Sequence, residues 1–145
     1  MLPYKFNKSR FALLQLRLTI SILFLLFAVI SKAQVKGGKW IAPKSADAVK
    51  NPVVPDAATL KEAKTIYTTY CMPCHGSKGK GDGVAAAGLA IKPADHTSTF
   101  IQNQTDGALF WEMSEGHNPM PSYKTTLTEK QRWELISYIR TFAKK

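Results

Sequence analysis

A chain of 145 residues has room for one domain plus N-terminal equipment, and its 45% hydrophobic fraction excludes wholesale disorder. Its two cysteines, Cys71 and Cys74, are too close together to form a disulfide framework. The formal charge of +10 includes five Lys and Arg within the first 33 residues, leaving 15 basic against ten acidic residues beyond them. That net +5, with no basic patch interleaved with aromatics, excludes nucleic acid as a partner.

In chain order, Lys5, Lys8, Arg10 and Arg17 precede the apolar run Leu18 to Ile30, and Ser31-Lys32-Ala33 follows. This is the pattern of a signal peptide over 1–33, cleaved after Ala33 to expose Gln34. A retained anchor is the competing reading; as a helix the run spans only about 20 Å, against a hydrocarbon core of roughly 30 Å. Either reading exports the folded part to the periplasm. Residues 34–55 form an arm or linker in which Pro43, Pro52 and Pro55 forbid long helices. Trp40 and Ile41 point to an arm that packs down; a disordered tether is the alternative.

The domain proper is expected over 56–145. A first helix starts near Asp56, with Leu60, Ala63, Tyr67, Tyr70 and Cys74 on one face. A second helix runs from Thr105 or Asp106 to just before Gly116, a glycine suited to helix termination. The third begins at Thr128, where Thr128-Glu129-Lys130-Gln131 reads as a capping box. Its apolar face carries Trp133, Leu135, Ile136, Tyr138, Ile139, Phe142 and Ala143, and Glu134, Thr141 and Lys145 mark its wet side. The pattern is all-α, with long loops at 76–104 and 116–127. Three helices and two such loops in under 90 residues leave little core, so something rigid and apolar must fill the middle.

Cys71-Met72-Pro73-Cys74-His75 supplies the means of holding it. Cys-x-x-Cys-His is the attachment signature of c-type haem, in which two thiols form thioethers and the adjacent histidine ligates the iron. A thioredoxin-like dithiol would want a strand before the motif, but a helix leads into it. A structural zinc site would need four ligands, and there is no second cysteine pair. For the sixth iron ligand the candidates are Met113, Met120, His96 and His117. Met113 reads as core filler in the second helix, and His96 as a polar surface residue. Met120 lies in Asn118-Pro119-Met120-Pro121, a loop stiffened to hold a thioether over the haem. It is the preferred ligand, and His117 would give bis-histidine ligation instead.

Cys71-Met72-Pro73-Cys74-His75-Gly76 followed by Gly79-Lys80-Gly81-Asp82-Gly83, then Met120-Pro121 with Tyr123, then Trp133 with Tyr138-Ile139-Arg140, resembles the class I mono-haem bacterial cytochromes c. The resemblance covers about residues 57–143. It implies a small cytochrome c-like fold of three main helices and long loops around one covalent haem c. The first and last helices would cross with Ala63 where a glycine is common, beside Tyr67 and Trp133 or Tyr138. It also implies a carbonyl near a proline that orients the ligating histidine, best matched by Pro93 in Lys92-Pro93-Ala94-Asp95. Trp111, Tyr123 and Arg132 are unranked candidates for the haem propionates.

His/Met ligation leaves no open iron position and raises the potential, so the expected role is electron transfer, not catalysis. The expected partners are a redox donor and acceptor, including membrane respiratory complexes, with the protein a monomer. Lys78, Lys80, Lys92 and Lys124 would form a basic rim for an acidic partner. The alternatives are a tethered subunit of a larger respiratory complex, or a haem enzyme or gas sensor if Met120 is displaced.

Overall fold

The computed structural model describes residues 40–143; the expected signal segment lies outside them. Among the described residues there are five α-helices and no strands. They are α1 (Ala57–Tyr70), α2 (Met72–His75), α3 (Thr99–Gln102), α4 (Asp106–Glu115) and α5 (Glu129–Arg140). No described helix is long and apolar enough to cross a membrane.

The three long helices start where their capping residues stand. The Asp56 carboxylate accepts the Thr59 N–H at 2.7 Å, and Thr105 Oγ1 accepts the Ala108 N–H at 3.1 Å. Thr128 and Gln131 close a reciprocal capping box, with bonds of 3.2 and 3.0 Å. α4 ends at Gly116, whose φ of +70° suits a residue without a Cβ. α1 and α5 make the most extensive helix pair, and Ala63 within it has no exposed surface.

Two burial expectations are corrected. On α1 the buried residues are Ala63, Ile66 and Tyr67, continued by Cys71, while Tyr70 is 42% exposed. The helix stops at Tyr70 and α2 sets off on its own turn, so the expected stripe from Tyr70 to Cys74 is broken. On α5, Glu134 is fully buried rather than wet. α1 and α4 pack on this helix, and Asn51 of the arm donates to Trp133 O and Ser137 Oγ at 3.3 and 3.1 Å, so α5 is enclosed on several sides. Lys130, one turn earlier, pairs with the buried Glu134 carboxylate.

From Trp40 to Asn51 the arm lies along the helices. Ala46 is buried, and Thr105 Oγ1 donates to Asp47 at 2.8 Å. A Cβ on Gly107 would stand 2.0 Å from Ala46 O and 2.6 Å from Val49 O, so only glycine lets α4 start against the arm's backbone. At the far end of α5, Arg140 donates to Asp106 Oδ1 at 2.8 Å and to Gln102 O and Gln104 O at 3.0 and 2.6 Å. This ties the segment between α3 and α4 to the last helix. Aromatic packing completes the core: Phe110 stacks on Trp133 at 3.8 Å, and Tyr67, Tyr138 and Phe142 meet pairwise at 5.2–5.3 Å between ring centroids.

Candidate cofactor site

The chain leaves α1 and turns directly into α2. Cys71 N–H donates to Tyr67 O at 2.9 Å, and His75 N–H to Cys71 O at 2.8 Å. Cys71, Cys74 and His75 therefore share one helical turn. Both cysteines are free thiols, Cys71 buried and Cys74 half-buried. Burial pushes the Cys71 thiol up to about 12. A reactive dithiol instead sets its attacking cysteine where the thiolate is favoured, and the buried Cys71 has the opposite environment.

His75 is buried, and its Nδ1 lies 3.0 Å from the Ala94 carbonyl. An oxygen acceptor there assigns the proton to Nδ1 and directs the Nε2 lone pair outward. Burial also holds the ring's pKa below the usual histidine range, keeping the neutral form that a metal requires. The orienting carbonyl belongs to Ala94, directly after Pro93 and so near the proline that the sequence singled out. Pro93 O instead packs against Gly81, where an added Cβ would come within 2.3 Å. Gly81, at φ +68°, donates its N–H to His75 O at 2.8 Å. The Pro93–Ala94 segment is thus held against the loop that follows the histidine, and the next carbonyl faces the ring.

His96 is a correction. Expected at the surface, it is buried, and its ring stacks on His75 at 4.2 Å between centroids with an 18° tilt. Its N–H donates to Gly79 O at 2.6 Å and its carbonyl accepts from Gln102 Nε2 at 2.7 Å, so loop 76–104 folds back over α2. Burial, reinforced by His75, pushes the His96 ring down to about 3. The buried Tyr67 hydroxyl donates to Gly76 O at 3.0 Å and braces the same loop.

The Met120 loop approaches from the other end of the chain. His117 and Met120 exchange backbone hydrogen bonds of 2.9 and 2.7 Å around a cis Asn118–Pro119 bond. The loop's base is fixed to α4 by Ser122 Oγ to Ser114 O at 2.5 Å and Tyr123 N–H to Met113 O at 3.2 Å. The Tyr123 hydroxyl donates to Tyr70 O at 3.0 Å, fastening the loop beside the residue that precedes Cys71. Met120 and Met72, both half-buried, pack on the cluster that contains Cys71, Met113 and Tyr123. Met113 is core, 4% exposed.

Of the propionate candidates, Tyr123 is committed to Tyr70 O. Arg132 is buried, bonded to Ser114 Oγ and set 4.7 Å over the Phe110 ring, with Nε unpartnered. Trp111 packs against Trp40 at 5.8 Å. Lys78, Lys80 and Lys92 are exposed, whereas Lys124 is paired with Glu115. The first three flank an apolar stretch in which Val84 is 94% and Ile91 44% exposed. Ala85 N–H donates to Pro73 O and Gly83 N–H to Cys74 O at 2.9 and 3.1 Å, so this stretch adjoins the cysteine turn.

The residues present fit a covalent haem: two unpaired thiols and a neutral imidazole share one turn, with a thioether packed on the same cluster. Fold and site together define a c-type cytochrome domain, which moves electrons through its haem. The chain belongs to the family described as cytochrome c oxidase, cbb3-type, subunit III, whose model matches residues 58–139.

Among solved structures the chain is similar to one in the Kuenenia stuttgartiensis reducing HAO-like protein complex Kustc0457/Kustc0458, at 30% identity and a TM-score of 0.58. The match covers 66% of this chain and 50% of that one, so the chain spans about half the length of this relative. It is also similar to the KustC0563 c-type cytochrome, at 24% identity and a TM-score of 0.49, covering 57% of this chain and 98% of that one. No curated protein matches the chain.

Proposed function

We propose that the protein is a periplasmic electron carrier whose single haem c is attached through Cys71 and Cys74 and ligated by His75 and Met120. The carrying observation is the His75–Ala94 hydrogen bond, which leaves Nε2 as the metal-facing nitrogen of a buried, neutral ring. Once bound, the haem supplies a one-electron couple at its iron. The polypeptide holds the imidazole in one orientation through Ala94 and the His96 stack, and Tyr123 carries the Met120 loop to the end of α1. With His75 and Met120 both holding the iron, no coordination site would be left for a substrate, which favours a carrier over an enzyme or gas sensor.

Export rests on the basic, apolar and small-residue pattern of 1–33. The partners are a redox donor and acceptor, including membrane respiratory complexes, meeting a monomer at the apolar stretch flanked by Lys78, Lys80 and Lys92. A second reading is a subunit of a larger redox complex. It is favoured by the subunit description of the family and by the complex named in the solved relative.

The test is the absorption spectrum of the purified ferric protein beside that of M120L. A weak long-wavelength charge-transfer band of thioether-ligated iron, present in the wild type and absent from M120L, is expected. A band that survives in M120L, or a wild type that binds carbon monoxide readily once reduced, would refute the His/Met carrier.

A further inference from the structure

The N-terminal arm reaches the Met120 loop through Trp40. Trp40 stacks on the His117 ring at 5.3 Å between centroids with a 28° tilt, and leans on Trp111 of α4 at 5.8 Å. His117 is the residue that exchanges both backbone hydrogen bonds with Met120. From its base the loop is already held by Ser122 and Tyr123, and Gly116 is so crowded that an added Cβ would stand 2.4 Å from Ser122 N. The stretch from His117 to Pro119, by contrast, is exposed to solvent. Trp40 is the packing that the arm brings to that outer stretch.

The arm can exert this hold because it is anchored behind Trp40. The Ala42 N–H donates to the Glu112 carboxylate, Asp47 accepts from Thr105, and Asn51 bonds to α5. Trp40 therefore stands on a fixed support that runs back across two helices.

We infer that Trp40 is a positioning residue for the Met120 thioether, acting through His117 to keep the loop closed over the haem. This rests on the reading of Met120 as axial ligand. It makes the arm part of the electron-transfer site, since reorganisation at the iron depends on how firmly that ligand is kept. Methionine is a weak ligand that added imidazole displaces from ferric iron, and the loop must open for that exchange. Removing Trp40 lowers the cost of opening and so tightens the apparent affinity for imidazole.

The experiment is an imidazole titration of the ferric holoprotein, followed by loss of the thioether charge-transfer band, in wild type, W40A, W40F, H117A and the W40A/H117A double variant. W40A is expected to bind imidazole about three- to tenfold more tightly, the range one aromatic contact supplies. W40F, which keeps a stacking ring, should return toward the wild-type value. H117A should resemble W40A, and the double variant should add little to either alone, as expected of two residues acting through one contact. T128A, which removes the hydroxyl cap at the start of α5, away from the arm and the loop, separates local positioning from general destabilisation.

Equal imidazole affinity in W40A and wild type would overturn the inference. So would an equal gain in T128A, or full additivity of W40A and H117A. An M120L protein that keeps the band would show instead that the ligand assignment itself is wrong.

Discussion

Glu112 offers a test of how the arm is held. It lies buried on α4, its carboxylate accepting the Ala42 N–H from the arm while Oε1 has no hydrogen-bond partner. The Gln104 amide stands alongside and steadies the charge, but its Nε2 completes no hydrogen bond in return. Burial dominates and pushes the carboxyl from 4.5 up to about 7. In the unfolded chain the group ionises near 4.5. Between the two values the folded protein keeps a proton that the unfolded chain has lost, so stability falls as pH rises through that window. Below it both states are protonated, and above it both are ionised and the penalty is constant. A shift of this size, at about 1.36 kcal/mol per pH unit, sets an upper bound of about 3 kcal/mol. The arm that covers the group is itself largely exposed, and solvent screening brings the expected penalty to about 1–2 kcal/mol. E112Q mimics the protonated acid: its amide oxygen still accepts from Ala42 and it never ionises. Guanidinium unfolding of the holoprotein at about pH 5 and about pH 8 should show E112Q gaining about 1–2 kcal/mol on the wild type across that interval. Parallel pH profiles for the two proteins would refute the reasoning.

The remaining perturbations address the cofactor site. C71A/C74A should lose covalent haem, read as haem that separates from the polypeptide on a denaturing gel, and should also lose folding, read by circular dichroism. A stably folded, haem-free double variant would show that the core does not depend on the group. G81A places a methyl 2.3 Å from Pro93 O at a φ of +68°, and should cost about 1–3 kcal/mol while shifting the midpoint potential through the Ala94–His75 bond. G88A, where an added Cβ meets nothing within 4 Å, is the matched control. It should leave the potential unchanged, with stability within about 1 kcal/mol of wild type.

Short-range features were legible in the sequence. Each cap is a side chain three residues from its partner, so Thr105 and Thr128 announced their helices, and Gly116 the end of one. The cysteine turn was legible for the same reason, since five consecutive residues carry the attachment chemistry. Burial produced by distant chain was not legible. Glu134 looks solvated in a helical projection, which contains neither the packing of α1 nor the return of the arm through Asn51. His96 looks like an ordinary loop histidine, and it is buried only because the Gly79 carbonyl and Gln102 draw its backbone down over His75. The expectation of a carbonyl near Pro93 agrees with the Ala94 bond to His75, but sequence locates only the segment and not which carbonyl turns inward. Only the contact of Pro93 O with Gly81 fixes which one that is.

The two faces of the site are therefore built by different means. On the His75 side the most direct restraints on the ring come from residues 67–102, namely the Ala94 carbonyl, the His96 stack, the Tyr67 hydroxyl on Gly76 O and the Gln102 bond to His96 O. The end of the chain backs them through Ile139 O, which accepts from Gln102 Nε2 at 3.1 Å, and Phe142, stacked on His96 at 6.3 Å. The first four lie within one stretch of chain, closed by glycines at positive φ, so the loops they close are short. On the Met120 side the loop's base is held locally to α4 by Ser122 and Tyr123, but two further restraints come from far apart in sequence: Tyr123 reaches back 53 residues to Tyr70, and Trp40 stacks on His117 from the other end of the domain. Such contacts exist only once the whole fold has closed, so they are the first to be lost when it loosens. On the proposed ligation, the histidine should stay bound under conditions that release the methionine. The difference is one of architecture as much as of ligand strength, because the weaker iron bond is also the one whose protein support is least local.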